Sequence, residues 1–310
     1  MITQSNIIKY NNLNELINII TKKVVARLND DSILLKKNKI SNSSDPCFAD
    51  SKSCNGCGFC SSRRPKDIGK LIDAGADRIS SSPGGIKPKE KLANSIDHTL
   101  LKPDATKEEL QVVCDEAIKW NFATVCVNSS NISFVAKQLN SSGVKAIAVV
   151  GFPLGASTTS AKAFEARSAI REGAREIDMV INIGALKSKD YAVVITDICK
   201  VVEASKPYPV KVILETSNLK LEEKIIACAL AKAGGAKFVK TSTGFGSGGA
   251  TIEDIELMRK IVGSEIGVKA SGGVKTKQEA ENMIRAGANR IGASASVSIV
   301  TGKKNNLNYY

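Results

Sequence analysis

The chain has 310 residues, 43% of them hydrophobic, and a formal charge of +13. That length admits one large domain or two ordinary ones, and no apolar run reaches the ~18 residues that span a bilayer. The positive charge comes without a lysine- and arginine-rich block and with few aromatics (Trp 1, Tyr 5, Phe 8), which argues against nucleic acid and for a diffuse field that attracts a small phosphorylated metabolite.

The first ten residues show no charged region followed by an apolar core, so the expected location is the cytoplasm. In that compartment the eight cysteines read as free thiols or metal ligands rather than disulfides. Residues 13–28 carry Leu13, Leu16, Ile17, Ile20, Val24 and Leu28, the spacing of an amphipathic helix. Such a helix either folds onto its own domain or a dimer mate, which is the plainer reading, or docks residues 1–30 on a partner or a protein shell. A polar linker follows over 38–46. Next come Cys47, Cys54, Cys57 and Cys60. Two successive Cys-x-x-Cys steps can wrap a metal, and four thiolates would complete a structural zinc or iron–sulfur shell. The alternative is four reduced surface thiols. Cys114, Cys126, Cys199 and Cys228 sit in periodic segments and read as core.

Residues 67–80 read as a helix followed by a strand. Their pattern returns at 170–177, 231–239 and 283–294. In each copy a glycine ends a helix and a branched residue begins a strand. The expected division is a helix over 1–37, a linker and Cys-rich segment over 38–90, a barrel domain over 91–303 and a tail over 304–310.

From Ser95 the chain predicts eight short strands, over 96–101, 123–128, 146–152, 176–183, 210–215, 238–242, 267–271 and 290–293, with helical stretches between them. Lys107–Lys119 is one such helix, with glutamates early and a lysine late, which suits the helix dipole. Eight alternations fit an α/β fold of the (β/α)8 TIM-barrel type. A doubly wound sheet is the runner-up, but no Gly-x-Gly-x-x-Gly turn follows the first strand.

Barrel chemistry sits at the C-terminal ends of strands. Asp97 and Thr99 share one face there and His98 takes the other; as the sole histidine, His98 reads as structural. Asn128 and Asn182 are further polar candidates. Cys126 is a pocket wall or a nucleophile, and lacks a histidine to activate it. Glu215 is a base, or simply satisfies polar neighbours. The strand from Phe238 places Lys240 inside an apolar run, where a cation is costly, and then breaks into a loop with Thr243, Gly244, Gly246, Gly248 and Gly249. Lys269 lies in the next strand. Two ammonium groups in one barrel mouth repel, so one of them is pushed to lose its proton. A neutral amine attacks an aldehyde to form an imine, and Asp178 across the barrel relays protons through a water. The bland reading is an Asp–Lys salt bridge, but two lysines and one aspartate leave a charge over. Gly272 and Gly273 after strand 7, with Ser294 and Ala295 after strand 8, occupy the usual barrel phosphate site, and Gly244 with its neighbours closes it from the side.

Four stretches in order complete the reading: Ile96-Asp-His-Thr-Leu-Leu-Lys-Pro103, Glu176-Ile-Asp-Met-Val-Ile-Asn182, Phe238-Val-Lys-Thr-Ser-Thr-Gly-Phe245 and Gly267-Val-Lys-Ala-Ser-Gly-Gly-Val274. Over residues 92–300 the chain resembles the deoxyribose-phosphate aldolase family. The resemblance implies reversible cleavage of 2-deoxy-D-ribose 5-phosphate to glyceraldehyde 3-phosphate and acetaldehyde, with no metal or organic cofactor required. It implies Lys240 as the imine-forming lysine, Lys269 as the lysine that lowers its pKa, and Asp178 as the proton relay. Asp97 and the tail residue Tyr310 join the catalytic candidates. Thr99, Cys126, Thr243 and Gly244 join Gly272, Gly273, Ser294 and Ala295 as substrate and phosphate contacts. Where the family often has a second serine, Ala295 stands, so its backbone amide must serve. The first 90 residues have no counterpart in short members, and residues 1–30 resemble peptides that target enzymes to bacterial microcompartments. A homodimer or higher homo-oligomer is expected, with no nucleic-acid or membrane partner. The competing reading is a barrel that has lost activity and serves as a phosphate-binding scaffold.

Overall fold

A computed structural model describes residues 92–302. The expected helix over 13–28, the Cys47, Cys54, Cys57 and Cys60 cluster, the unit over 67–80, and Tyr310 lie outside the described residues. Eight parallel strands close into a barrel in sequence order. They are β1 (Ile96–Leu100), β2 (Thr124–Val127), β3 (Lys145–Val150), β4 (Glu176–Val180), β5 (Val210–Ile213), β6 (Phe238–Lys240), β7 (Gly267–Ser271) and β8 (Arg290–Ala293). The pairing of β8 with β1 through Asp97 and Gly292 closes the circle, which rules out a doubly wound sheet. The helices are α1 (Lys107–Trp120), α2 (Ile132–Gln138), α3 (Thr159–Arg171), α4 (Ile183–Lys187), α5 (Tyr191–Ser205), α6 (Leu221–Ala233), α7 (Ile252–Val262), α8 (Lys277–Arg285) and α9 (Ser296–Thr301).

Local chemistry sets the helix ends. At α1, Thr106 accepts from the Glu109 amide while the Glu109 carboxylate accepts from the Thr106 amide, and Asn121 leaves in the left-handed region, the reciprocal cap that a Thr-x-x-Glu step encodes. Thr276 and Glu279 do the same for α8. The helix–glycine–strand repeat is present at Gly173 and Gly287, with φ of 113° and 117°, a conformation that opposes any side chain.

The two faces of the strands bury different chemistry. Ile96, Leu100, Val125, Val127, Ala148, Ile177, Met179, Val212, Val239, Val268 and Ile291 pack with the inner faces of the helices in one apolar shell. Burial of each large aliphatic residue contributes ~1.5–3 kcal/mol. The alternate residues turn inward. On β2 and β3 most of these are apolar: Cys126, Ile147 and Val149 join Leu101 and Phe152 in a separate small cluster, while Thr124 turns to Asp97. On the other strands they are largely charged.

Several predicted strands are too long at their C-terminal ends. After β3 the chain leaves at Gly151 (φ 60°). After β4, Asn182 accepts from the Ala185 amide and caps α4. After β5, Glu215 stands in the left-handed region at φ 56°. Each predicted excess consists of residues that form the mouth of the barrel.

Candidate active site

Register brings the inward charges together. Lys240 on β6 pairs with Lys269 on β7, Lys269 pairs with Arg290 on β8, and Asp178 on β4 pairs with Lys211 on β5. Neighbouring strands lie ~4.8 Å apart, so these side chains must meet. Asp178 accepts from three lysines: Oδ1 from Lys211 at 2.9 Å, and Oδ2 from Lys240 at 3.0 Å and Lys269 at 2.8 Å. Lys211 also pairs with Glu176. Glu176 lies 3.3 Å from Arg290, and Arg290 lies 2.6 Å from Asp97. Asp97 returns to Lys269 at 2.6 Å, and its Oδ1 also accepts from Thr124 at 2.7 Å.

The contacts form a closed ring: Asp178, Lys211, Glu176, Arg290, Asp97, Lys269 and back to Asp178. At ordinary charges the ring is neutral, with three carboxylates and three cations. Lys240 hangs from it as a seventh group, tied to an Asp178 that two ring cations already hold. The expected surplus charge is present, and it falls on Lys240. The bland Asp–Lys pairing is present too, but the ring satisfies it without Lys240.

Electrostatics follow the same layout. Burial, and after it Lys269, lower the Lys240 pKa from the ordinary 10.5, while Asp178 pulls the other way. Both expected causes act, and at 2% exposure loss of water comes before the neighbouring charge. Burial also disfavours the Lys269 ammonium, but Asp178 and Asp97 outweigh that and raise its pKa. The two lysines are thus shifted in opposite directions, with the Lys269 proton held more tightly and the Lys240 proton less tightly than on an ordinary lysine. Burial pushes Asp178 up, yet Lys211, Lys269 and Lys240 together hold it well below the usual carboxylate range. Asp97 is likewise lowered against burial, by Lys269 and Arg290.

Around this centre the remaining candidates divide. Cys126 is buried in the apolar cluster, and burial pushes its thiol up to about 11, which suits a wall and not a nucleophile. Thr99 is buried and donates to the Asp97 carbonyl at 2.9 Å. Glu215 accepts from the Thr243 amide at 3.0 Å and from the Thr243 hydroxyl, so it satisfies polar neighbours and anchors the loop after β6. His98 faces outward, bonded to Ser296 at 2.9 Å and Glu116 at 2.8 Å. Asn128 donates to the Leu101 carbonyl.

The glycine loop after β6 lies against the loop after β7. Ala250 donates to the Gly272 carbonyl at 3.0 Å, and a Cβ on Gly249 would stand 2.3 Å from that oxygen. Gly249 is therefore needed for the contact between the two backbones. Gly272 and Gly273 are consecutive left-handed residues (φ 83° and 80°), and open space lies before Gly273. Ser271 on β7 pairs with Gly292 on β8, so the loops bearing Gly272–Gly273 and Ser294–Ala295 leave adjacent strands side by side. Ala295 precedes α9 with no side-chain cap. Phe245 from the β6 loop meets Phe152 from the β3 loop edge-on, with centroids 5.3 Å apart.

Sequence reasoning missed Lys211, Glu176 and Arg290. A usable signal was present: each stands at the inward phase of its strand, two residues from Ile213, Asp178 and Gly292 respectively. The strand-end rule passed over them because all three lie at or near strand starts. Among the described residues, no group of three or more His, Cys, Asp or Glu side chains is placed to hold a metal ion, and no helix is long and apolar enough to cross a membrane.

The family described as DeoC/LacD family aldolase matches residues 91–304. A deoxyribose-phosphate aldolase of Clostridium novyi (strain NT) is 59% identical over 214 residues, which is 69% of this chain and 96% of that protein. One from Streptococcus sanguinis (strain SK36) is 55% identical over 219 residues, 71% of this chain and all of that protein. The tetrameric deoxyribose phosphate aldolase of Aeropyrum pernix superposes with a TM-score of 0.64 at 31% identity, covering 69% of this chain and 90% of that one.

Proposed function

We propose, from the premise that this chain belongs to the DeoC/LacD aldolase family, that Lys240 is its imine-forming nucleophile and Asp178 with Lys269 its proton-handling pair. The chain is a lyase that reversibly cleaves 2-deoxy-D-ribose 5-phosphate to D-glyceraldehyde 3-phosphate and acetaldehyde. The observation that carries the residue assignment is the neutral ring with Lys240 left over.

The chemistry follows from that geometry. Neutral Lys240 adds to the aldehyde carbon of the open-chain sugar and, with one proton supplied by Lys269 and returned to it at the final hydrolysis, water leaves to give a protonated imine. Asp178, through a water, takes the proton from the hydroxyl on the third carbon. The bond between the second and third carbons breaks, and its electron pair passes into the imine to give a neutral enamine. Glyceraldehyde 3-phosphate departs, the enamine carbon is protonated, and hydrolysis releases acetaldehyde and Lys240. Lys269, held protonated, is the nearby acid. Asp97 holds Lys269, Thr99 and Thr243 line the mouth, and the apolar side of Cys126, Ile147 and Val149 suits the two-carbon fragment. The phosphate is assigned to Gly272, Gly273, Ser294 and the Ala295 amide, with Gly244 beside them. Family membership implies that this imine route requires no metal or organic cofactor.

Other assignments are proposals of the same kind. They are the division at 1–37, 38–90, 91–303 and 304–310, cytoplasmic location, assembly as a homo-oligomer, a structural metal on the Cys47 cluster, docking of residues 1–30 on a partner or microcompartment shell, and participation of Tyr310. The relatives are matched over nearly their whole length by ~70% of this chain, so the segment before residue 91 is an addition to what they share. Metal analysis of anaerobically purified protein decides the cluster: less than about one zinc or iron per chain removes it.

Borohydride trapping with acetaldehyde, followed by peptide mapping, tests the central assignment. One adduct on Lys240 is expected. No adduct, or an adduct on Lys269, overturns it. kcat/KM should rise with pH through the Lys240 pKa, since the amine must be neutral, and that limb should lie below the ordinary lysine value of 10.5.

A further inference from the structure

Two of the six ring members lie away from the mouth of the barrel. Glu176 and Arg290 are the first residues of β4 and β8, toward the bottom of the barrel, whereas Asp178 and Lys269 are further along their strands. The Phe238 ring lies 5.7 Å from both the Lys211 ammonium and the Arg290 guanidinium. Gly267 makes room for it: a Cβ there would stand 2.1 Å from the ring. Glu176 is 4% exposed. Nothing in the proposed chemistry uses either residue, yet Glu176 is a buried charge and Arg290 a half-buried one, and such charges are costly unless they are fully paired.

We propose that Glu176 and Arg290 are positioning residues that set the proton affinity of Lys240 from below, by fixing the net charge of the ring that its ammonium must join. This rests on Lys240 as the nucleophile. The groups that face Lys240 are Asp178 from β4, Lys269 from β7 and the Cys126 thiol from β2. β3 presents only Ile147 and Val149 to the interior. β5 presents Lys211, and Glu215 beyond its end is engaged by Thr243. Lys211 couples Glu176 to Asp178, and Asp97 couples Arg290 to Lys269.

Each coupling has a sign. With Glu176 neutral, the ring carries +1. Lys211 then loses one of its two carboxylates and leans on Asp178, in competition with Lys240, so the Lys240 ammonium becomes harder to keep. With Arg290 neutral, the ring carries −1. Asp97 then holds Lys269 more tightly, Asp178 is freer for Lys240, and the ammonium becomes easier to keep. Opposite shifts from two residues that touch each other are not what a packing defect produces.

The test uses the full chain with Glu176→Gln, Arg290→Gln and the double variant. Two readouts are followed: kcat/KM for deoxyribose 5-phosphate against pH, and the pH dependence of borohydride trapping with acetaldehyde. The acid limb should move down in Glu176→Gln and up in Arg290→Gln, each by about one pH unit for one charge at ~10 Å through an effective dielectric of ~20. In the double variant it should return to within ~0.3 unit of the parent. Glu176→Asp and Arg290→Lys keep their charges and should leave the limb in place. If one Gln variant does not fold, the other decides against its charge-conserving partner. A limb that stays put, or that moves the same way in both single variants, overturns the proposal. An adduct on Lys240 in the parent with an unmoved limb sinks only the ring proposal, whereas no Lys240 adduct at all sinks the aldolase assignment of that residue.

Discussion

The outer and inner faces of the barrel wall come from the same eight strands, residue by residue, and they do opposite things. On β4, Ile177 and Met179 point to the helices and are buried in the apolar shell. Between and before them, Glu176 and Asp178 point inward and are equally buried, but among charges. The shell holds the fold together by burial of apolar area. The interior holds seven charged groups, six of them buried and Arg290 half-buried, and gains little from doing so, because the attraction among them mostly offsets the loss of water. The interior is thus kept for chemistry and the shell for stability, and substitutions on the two faces should separate those quantities.

The largest separation is expected at Lys240. Lys240→Met should lower kcat by at least ~10³-fold and abolish borohydride trapping. Stability should not fall with it. A lysine whose folded pKa is depressed below its unfolded value of 10.5 binds its proton less well when folded, so it costs stability at every pH below 10.5. Removing it should leave Tm unchanged or higher at pH 7. A marked drop in Tm in calorimetry would mean that Lys240 is a member of the ring rather than its surplus.

Gly292 is the next place to press, since a single methyl tests the inner face. A Cβ there would stand 2.8 Å from Lys269 Cε and 3.0 Å from Ser271 Cβ. Lys269 cannot easily move away, because Asp97 and Asp178 hold it. Gly292→Ala should cost ~10–100-fold in kcat/KM through misplacement of Lys269, with ~1–3 kcal/mol of stability lost to overpacking. Unchanged kinetics would show that the position of Lys269 is loosely specified.

The two faces also differed in how far the sequence disclosed them. The shell was legible because branched residues on alternate strand positions give the period of two, and glycines such as Gly173 and Gly287 mark where each helix ends. Lys240, Lys269 and Asp178 were legible because a charge inside an apolar run is conspicuous. Lys211, Glu176 and Arg290 were not singled out, because a polar residue at the start of a strand looks like a solvated edge until closure of the barrel brings the strand starts together. The loops were half legible. Gly272 and Gly273 suggested a ligand turn, but Gly249 answers to the Gly272 carbonyl and Gly292 to Lys269, contacts between segments that no local pattern reveals.

On the outer face the expectation inverts. Ile177 is fully buried in the shell between Glu176 and Asp178 in sequence. Ile177→Ala should cost ~2–5 kcal/mol in denaturant unfolding while kcat/KM of the folded enzyme stays within ~3-fold. A larger kinetic loss would mean that the strand itself shifts, carrying Asp178 with it, and that the two faces are less independent than their packing implies.

The smallest effect is expected at His98, and it is the most exacting test because Asp97 is its neighbour on β1. Asp97 turns inward to Lys269 and Arg290. His98 turns outward, with Nδ1 on Ser296, Nε2 on Glu116 and its ring edge-on to Phe122 at 5.2 Å. These contacts tie β1 to α1 and to the first residue of α9. His98→Gln can keep one of the two hydrogen bonds, so ~1 kcal/mol of stability should go, and kcat should stay within ~2–3-fold at the pH optimum. His98 is the sole histidine in the chain, and histidine is the usual proton carrier near neutral pH. A tenfold loss of kcat with Tm intact would therefore place proton transfer on the outer face of β1. A small effect there leaves the traffic of protons to lysines and carboxylates alone, which is the chemistry the interior of this barrel is built to hold.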